Sequence, residues 1–295
     1  MTEKTLKAQA GIWVTLMPGT FVVLWASGFI GGKLGLAYVE PATFLLLRFA
    51  VVVALMLPIA LLWRAPWPAT PRQAVHIGVA GILIQGCYLA GVFAAIHNGM
   101  SAGLIALIVG LQPVLTAFVA APLLGERVSL RQWAGLALGL AGVALVVTQN
   151  LSLSGVTPVS AGFALVALTG ITLGTLYQKK FCGPFDLRTG SVIQFVAAGI
   201  ALAPFALLFE TREVRWSPEL LLTLAWLVLV LSIGAISLLT LLIRRGAVTK
   251  VASLMYLTPP VTAIMAWLVF GETLTTQALL GLALAALGVA IVVRN

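Results

Sequence analysis

Charged residues are scarce in this chain. Of its 295 residues only 8% are charged, whereas 61% are hydrophobic and the mean hydropathy is +1.12. A soluble domain carries about 25% charged residues, so this chain has too little polar surface to face water. The composition therefore excludes an ordinary soluble domain and indicates an integral membrane protein.

Residues that bind metals or act as nucleophiles are also few. The chain has two histidines and two cysteines, without a His/Cys cluster at ligand spacing and without a phosphate-binding P-loop. These absences argue against an integral membrane enzyme and an ATP-driven pump, and no metal or cofactor is expected.

The eight acidic residues all fall in a tail, a loop or a helix end: Glu3, Glu40, Glu126, Asp186, Glu210, Glu213, Glu219 and Glu272. A proton-driven carrier usually needs an ionisable group within the membrane, so obligatory proton exchange is not expected.

Long apolar segments occupy nearly the whole chain. They predict ten transmembrane helices, with short loops between them. The alternating ten-residue pattern of a membrane β-barrel is absent, so the predicted fold is an all-α bundle. The predicted spans are residues 12–37, 42–63, 74–96, 103–124, 132–149, 159–179, 189–209, 219–243, 251–270 and 274–293.

The positive charges predict the orientation. The formal net charge is +9, which fits the cytoplasmic loops of a membrane protein better than nucleic-acid binding. With the N-terminus inside, 13 of the 17 Lys and Arg residues lie on the inner side, and Lys33, Arg48, Arg212 and Arg215 lie in the outer half. Both termini are therefore predicted to be cytoplasmic.

The chain repeats itself at an offset of 146 residues. The matched positions are Gly28 with Gly174, Lys33 with Lys179, Pro113 with Pro259, and Gly125-Glu126 with Gly271-Glu272. Gly, Pro and Glu rarely match at one constant offset by chance. We therefore predict two five-helix repeats, residues 1–150 and 151–295. Because five is odd, the second repeat is inverted in the membrane, and the two surround a central cavity.

Several motifs carry a family resemblance. They are LWASGFIGGKLGL (24–36), LLLRFA (45–50), the segments QPVLTAFVAAPLLGE (112–126) and TPPVTAIMAWLVFGE (258–272), and the glycine-rich fifth and tenth spans. With these the chain resembles the drug/metabolite transporter superfamily, in particular its ten-helix EamA-type exporters, and among them the bacterial aromatic amino acid exporters. The resemblance implies a cavity opened alternately to each side. Helices 1, 3, 4, 6, 8 and 9 would line it, with helices 5 and 10 as support.

Prolines and glycines suggest where these helices bend and pack. Pro113 and Pro259 fall near the membrane midplane, where each removes a helix hydrogen bond. We interpret them as hinges beside the substrate, although a packing kink is the alternative. Gly28 and Gly174 could let helices rock or leave room for a ligand. Close helix packing is the better interpretation for the small residues of the fifth and tenth spans, Gly135, Gly139, Gly281 and Gly288.

Polar and aromatic residues in the predicted lining helices are the candidates for substrate binding. They are Trp25, Gln85, Tyr88, Thr169, Thr172, Tyr256 and Thr258. Each alone could be a helix–helix contact, but together they describe a neutral, aromatic cavity. Trp25 and Tyr88 could stack on a ligand, and Gln85 could bind an amino or carboxyl group. Arg48 is interpreted as a side chain that extends to the membrane interface, with a gating residue as the alternative. Lys33 and Lys179 are interpreted as extending to the interface in the same way, so no cation is expected deep in the cavity.

The function predicted from these features is secondary transport by alternating access. The expected substrates are small neutral or zwitterionic metabolites, in particular amino acids with aromatic or bulky apolar side chains. Other small metabolites or drugs, such as nucleosides or cationic drugs, remain an alternative, as do a channel and an integral membrane enzyme. The expected partners are an amino-acid-like small molecule and the lipid bilayer, without nucleic acid. The oligomeric state stays open, with a monomer plausible.

Overall fold

The chain forms a bundle of ten helical spans. The computed structural model describes residues 3–100, 102–148, 156–270 and 276–294. Within them the spans are α1 (Glu3–Gly35), α2 (Pro41–Leu62), α3 (Pro71–His97), α4 (Ala102–Val109 and Gln112–Leu124), α5 (Leu130–Thr148), α6 (Pro158–Phe181), α7 (Leu187–Phe209), α8 (Pro218–Arg245), α9 (Val248–Ser253, Leu254–Leu257 and Thr258–Phe270) and α10 (Thr276–Arg294). The predicted all-α fold with ten spans is confirmed. The predicted boundary between the repeats, at residues 150 and 151, lies outside the described residues.

Three of the helices begin with the same local signal. A hydroxyl side chain at the cap position accepts a backbone N–H from the first turn, and a proline follows the cap residue at once. The pairs of cap residue and proline are Thr70-Pro71, Thr157-Pro158 and Ser217-Pro218. These short polar signals separate apolar segments whose composition alone would not show where one helix ends and the next begins.

The helices pack in a symmetric pattern. The first helix of each repeat crosses to the other repeat: α1 packs against α8 and α9, and α6 packs against α3 and α4. The second helices pair with each other, α2 with α7, and the fifth pair as well, α5 with α10. Exchanging the two repeats converts the contacts of α1 into those of α6, and it leaves the pairs α2–α7 and α5–α10 unchanged. The pattern is that of two repeats related by a pseudo-two-fold axis.

The surface and the helix lengths fit a lipid environment. Five of the described helices, α2, α3, α6, α7 and α8, are long and apolar enough to cross a membrane, and shorter apolar helices occur in the other spans. Large side chains such as Leu62, Leu208 and Phe209 are among the most exposed. Apolar side chains at such positions are favourable in a bilayer and costly in water. The chain is a multi-pass membrane protein.

Irregular turns interrupt four helices, and they occur in equivalent pairs. The third helix of each repeat contains a π-helical segment, Ile82–Tyr88 in α3 and Leu227–Ala235 in α8. Shifted by 146 residues, the first segment falls on 228–234, inside the second. The fourth helices are also broken: α4 at residues 110–111 and α9 at a 3-10 turn, Leu254–Leu257. Such interruptions often mark functional regions of helices.

Glycines allow α5 and α10 to pack backbone against backbone. A Cβ atom on Gly135 would lie 2.8 Å from the carbonyl oxygen of Gly288, and one on Gly142 would lie 2.6 Å from that of Gly281. Both distances are far inside van der Waals contact, so a side chain at either position would force the helices apart. This pair lies outside the cavities described below.

Candidate functional site

Trp25 and Tyr88 form a stacked pair in the centre of the bundle. Their ring centroids are 5.9 Å apart and their planes differ by 11°. Both are almost fully buried, with exposed fractions of 6% and 3%. Trp25 comes from α1, and Tyr88 is the last residue of the π-helical segment of α3. Because a π-helical segment inserts an extra residue into the helix, it changes the direction of the side chains that follow it.

Two cavities share this pair as a common wall. The larger one lies among α1, α2, α3 and α8, and the smaller one lies among α1, α3, α4 and α9. Apart from the shared pair, the larger is lined by Gly28, Arg48, Leu89, Val92, Phe93, Ile96, Leu231 and Ile236. The smaller is lined by Val109, Gly110, Met255, Thr258 and Pro259. The two stacked rings thus stand between two apolar spaces.

The smaller cavity lies where α4 and α9 are interrupted. Val109 ends the first part of α4, and Thr258 begins the last part of α9. The Thr258 hydroxyl is buried and has no hydrogen-bond partner among the described residues. Pro259 cannot donate to Met255, but the Thr258 N–H donates to that carbonyl instead and closes the 3-10 turn. The Met255 carbonyl therefore keeps a hydrogen bond although a proline stands four residues after it.

Arg48 is buried inside the bundle and lines the larger cavity. Only 1% of this residue is exposed, so the interpretation that it extends to the interface is wrong. Its Nε donates to the Ser232 hydroxyl across the bundle at 2.8 Å. Its Nη1 is buried and has no hydrogen-bond partner in the described part of the chain. The cavity therefore contains a cation, contrary to the expectation from the sequence.

The equivalent position in the second repeat carries an amide instead. Position 48 corresponds to Gln194 at the offset of 146 residues. Its Nε2 donates to Gln178 Oε1 at 2.9 Å, and Gln178 Nε2 donates to the Thr240 hydroxyl at 3.4 Å. The Gln194 and Gln178 amides thus find hydrogen-bond partners inside the protein, whereas Nη1 of Arg48 has none among the described residues. The two repeats have diverged chemically at this depth.

Two threonines of α6 lie away from both cavities. Thr169 is exposed, and its hydroxyl donates to the carbonyl of Leu165 in its own helix. Thr172 is buried and donates in the same way to Leu168. Neither lines one of these two cavities, so this geometry gives their assignment as binding residues no support, and it stays a prediction. A hydroxyl that bonds to its own helix needs no external partner, and the sequence pattern cannot distinguish the two situations.

Gln85 and Tyr256 are fully buried but line neither cavity. Both polar atoms of the Gln85 amide lack a partner among the described residues, and so does the Tyr256 hydroxyl. The ring of Tyr256 packs on α5, where a Cβ atom on Gly139 would lie 2.8 Å from Tyr256 Cε2. In this conformation Tyr256 connects the supporting helices to α9 rather than contacting the cavity.

The predicted hinge residues divide between cavity and packing. Gly28 lines the larger cavity, and a Cβ there would clash with Leu231 of α8. Gly174 packs against α3, where a Cβ would lie 2.6 Å from Ile84 Cγ1. Pro259 lines the smaller cavity, whereas Pro113 is buried in α4 just after its interruption. As hinges, these residues remain a prediction.

Charged residues outside the cavity close helix ends. Lys179 donates to the carbonyl oxygens of Ile243 and Gly246, at 2.8 and 3.0 Å, so it caps the end of α8 rather than extending to the interface. The side chain of Lys33 lies outside the described residues.

Glu126, the last residue of the first repeated segment, accepts from the backbone N–H of Val248 at 2.9 Å and so caps α9. The Gly-Glu ending of the segment is thus a helix cap, because a carboxylate at a helix N-terminus is favourable.

Comparison with known proteins identifies what the chain is similar to. The sequence model described as "EamA-like transporter family" matches it twice, at residues 12–148 and 159–294. The "Probable amino-acid metabolite efflux pump" of Salmonella typhimurium is 28% identical, with 88% of each chain covered. The "Uncharacterized inner membrane transporter YedA" of Escherichia coli K12 is 26% identical over 86% of this chain and 81% of that protein. The "Probable terminal-alkyne amino-acid exporter" of Streptantibioticus cattleyicolor is 26% identical over 98% and 95%.

A solved structure has the same fold. It is described as "Crystal structure of protein", and it superimposes with a TM-score of 0.75 at 21% identity, covering 94% of this chain and 95% of that one. At this identity the likeness supports the arrangement of the helices and says nothing of a substrate.

Proposed function

Because the chain belongs to the EamA-like transporter family of the drug/metabolite transporter superfamily, we propose that it exports small amino-acid-like metabolites by alternating access. The proposed substrates are neutral or zwitterionic molecules, in particular amino acids with aromatic or bulky apolar side chains. Transport needs no cofactor in this proposal. Two relatives whose names mention amino-acid efflux or export support it.

The observation that carries the proposal is the stacked pair between the two cavities. Trp25 and Tyr88 present aromatic faces to an apolar space on each side. The aromatic side chain of a substrate could pack against Trp25 or Tyr88. Such aromatic pairs contribute about 0.5–1.5 kcal/mol beyond the burial of their surface. A substrate packed against these rings would lie next to the smaller cavity, where α4 and α9 are interrupted.

The buried arginine separates the alternatives. A cationic drug would meet the Arg48 guanidinium inside the larger cavity, where like charges repel strongly in a low dielectric. Among the alternatives considered, cationic drugs are therefore the poorest candidates. No feature of the described cavities favours nucleosides over amino acids.

Flux measurements in proteoliposomes test the proposal. Purified protein is reconstituted with internal unlabelled phenylalanine, and uptake of labelled phenylalanine, leucine, lysine and uridine is followed. We expect saturable exchange of phenylalanine and leucine. Trp25→Ala and Tyr88→Ala should reduce it by about tenfold or more. Trp226→Ala removes an exposed tryptophan of α8 and serves as the control. Exchange of lysine or uridine alone would contradict the proposed substrate class.

We further propose that the protein lies in a bacterial inner membrane with both termini in the cytoplasm. The distribution of Lys and Arg residues supports this orientation. It places Glu40 and the loop 210–217 on the outer side.

A further inference from the structure

Arg48 is a buried cation whose hydrogen bonds are only partly satisfied. A guanidinium has five N–H donors and remains charged. Removing such a group from water is costly unless it is paired and hydrogen-bonded. Here the Ser232 hydroxyl accepts from Nε, which fixes the guanidinium, whereas Nη1 has no partner among the described residues. Arg48 belongs to a membrane-spanning helix, and ionisable residues within such helices usually mark functional sites.

Among the described residues, no acidic side chain lines either cavity. The lining residues are Arg48 and, for the rest, apolar residues, Tyr88 and Thr258. The carboxylates of Glu40 and Glu210 lie at one end of the bundle, where they accept from backbone N–H groups of Thr211 and Ala42. Glu126 is used at the start of α9. The cavity can therefore neutralise an anionic group of a ligand, but it offers no carboxylate to an ammonium group.

We propose that Arg48 binds the carboxylate of the exported metabolite, and that this carboxylate, rather than the ammonium group, is the charged group that the site selects. The inference rests on the proposed function, because it assigns the charge of the same substrates. The guanidinium matches a carboxylate in two parallel hydrogen bonds. The carboxylate would lie beside Arg48, and the apolar part of the ligand would extend along Trp25, Tyr88 and Phe93, which line the same cavity.

The substrate class that follows is wider than amino acids. Any monocarboxylate with an aromatic or bulky apolar tail would fit, including the 2-oxo acid that corresponds to an aromatic amino acid. The ammonium group of an amino acid would be tolerated beside the aromatic rings, without being required.

Four ligands test the carboxylate and the ammonium group independently, because they carry these groups in all four combinations. Phenylalanine carries both, phenylpyruvate only the carboxylate, phenylalaninamide only the ammonium group, and 2-phenylethanol neither. Each ligand is tested for inhibition of labelled phenylalanine exchange in proteoliposomes, and for its shift of the unfolding temperature of the purified protein, which rises with occupancy. We expect the two carboxylates to bind at least tenfold more tightly than the other two ligands.

Variants then assign the preference to Arg48. Arg48→Gln should make the four ligands bind within about threefold of one another, and Arg48→Lys should restore part of the preference, because a lysine keeps the charge but not the paired donors. Ser232→Ala releases Nε and should weaken carboxylate binding less than Arg48→Gln does. Gln194→Leu removes the buried polar group at the equivalent position and should leave the preference unchanged. If Arg48→Gln does not fold, the wild-type comparison and Ser232→Ala still decide the question.

The outcomes distinguish the two proposals. If phenylalanine neither exchanges nor binds, the proposed function fails. If phenylalanine exchanges but phenylalaninamide competes equally well, or if phenylpyruvate does not compete, the role of Arg48 is overturned and the proposed function stands. A carboxylate preference that persists in Arg48→Gln would also overturn the assignment.

Discussion

At the scale of single residues, glycines set how closely the helices approach. Gly139 of α5 faces the ring of Tyr256, and Gly288 of α10 faces the backbone of Gly139. By contrast, a Cβ atom added to Gly162 of α6 would have nothing within 4 Å. The same residue type therefore has a packing role at one position and none at the other.

Substitution by alanine should have opposite effects on stability at Gly139 and at Gly162. Gly139→Ala should destabilise the protein by about 1–3 kcal/mol, because the new methyl group overpacks a buried contact, and Gly139→Leu should reduce the folded yield further. Gly162→Ala should be neutral or stabilising by up to about 1 kcal/mol, because alanine loses less backbone entropy in a helix. Thermal unfolding of the purified variants checks this, and equal melting temperatures would contradict the packing role of Gly139.

The sequence predicted some of the site at this scale and missed the rest for a physical reason. Trp25 and Tyr88 were candidates because large aromatic residues on the predicted lining helices can stack on a ligand, and both line the two cavities; their role in binding remains a prediction. The burial of Arg48 could not be predicted, because its environment depends on Ser232, which lies 184 residues away in the chain. The position of Thr169 away from the cavities was missed for a similar reason, since residue type does not reveal which face of a helix meets a cavity.

At the scale of helices, two kinds of proline have different effects. Pro113 and Pro259 follow interruptions in α4 and α9. Pro58 in α2 and Pro204 in α7 are also equivalent at the offset of 146 residues, yet their helices continue through them. Proline alone therefore does not explain a break, and the interrupted pair lies beside the smaller cavity.

The interrupted pair should control transport. Pro113→Ala and Pro259→Ala should leave the protein folded and slow phenylalanine exchange by about three- to tenfold, because a restored N–H favours a continuous, stiffer helix. Pro58→Ala and Pro204→Ala are the matched controls and should exchange at the wild-type rate. Initial rates at equal reconstituted protein are the measurement, and wild-type rates for the first two variants would refute the hinge interpretation.

A reciprocal carboxylate clamp joins α2 to α7. Glu210, at the end of α7, accepts from the backbone N–H groups of Ala42 and Thr43, both at 2.7 Å. Glu40, just before α2, accepts from the N–H and the hydroxyl of Thr211, at 2.6 and 2.7 Å. The hydrogen bond from the Thr211 side chain, with those from nearby N–H groups, lowers the pKa of Glu40.

This clamp should make stability depend on acid. A lowered pKa in the folded state means that the contribution of Glu40 is fully present above its unfolded pKa of about 4.3 and is lost as the pH falls through the folded value. Glu40→Gln should therefore be less stable than the wild type at pH 7, and the difference should shrink below about pH 4. Glu213→Gln changes an exposed glutamate of the loop 210–217 and is the control. Melting temperatures from pH 3 to 7 measure the effect, and a difference independent of pH would contradict it.

Helix positions followed from the sequence more reliably than helix irregularities. All ten spans were predicted from long apolar segments, because crossing a bilayer requires about 20 apolar residues. The π-helical segments of α3 and α8 were not, since an inserted residue changes the direction of side chains without changing composition. These segments place Tyr88 and Ser232, so the site depends on the feature that was hardest to predict.

At the scale of the whole molecule, the duplicated architecture implies an orientation. The loop 125–131 carries Arg127 and Arg131, whereas the corresponding loop of the second repeat begins at 271, outside the described residues, and has no such pair. An inverted repeat places these two loops on opposite sides of the membrane.

Cysteine labelling tests this orientation. In a background with Cys87 and Cys182 replaced by serine, Ser129→Cys and Thr273→Cys are treated with a membrane-impermeant thiol reagent in intact cells. Only the cysteine at position 273 should react, and the one at 129 should react after permeabilisation. Equal labelling of both in intact cells would contradict the inverted arrangement.

The charge of the substrate determines how the membrane potential acts on transport. Moving one net charge across the membrane is worth about 2.3 kcal/mol per 100 mV. A zwitterion carried alone moves no net charge, whereas a carboxylate without an ammonium group moves one negative charge. With an inside-negative potential, export of such an anion is favoured without any proton exchange. The described acidic residues lie at helix ends and in loops, and His97 is exposed at the end of α3, so no titratable carrier of protons lies beside the stacked pair.

The membrane potential should therefore change the equilibrium distribution of phenylpyruvate and leave that of phenylalanine unchanged. Proteoliposomes loaded with each labelled compound are given an inside-negative potassium diffusion potential with valinomycin, at equal pH on both sides. For phenylpyruvate, the ratio of outside to inside concentration should approach about 50 at 100 mV, the equilibrium value for one charge. Phenylalanine should approach a ratio of 1, and protein-free vesicles correct for leakage. If an imposed pH gradient instead drives phenylalanine above its equilibrium ratio, and His97→Ala abolishes this, transport is coupled to protons and the uncoupled scheme is wrong.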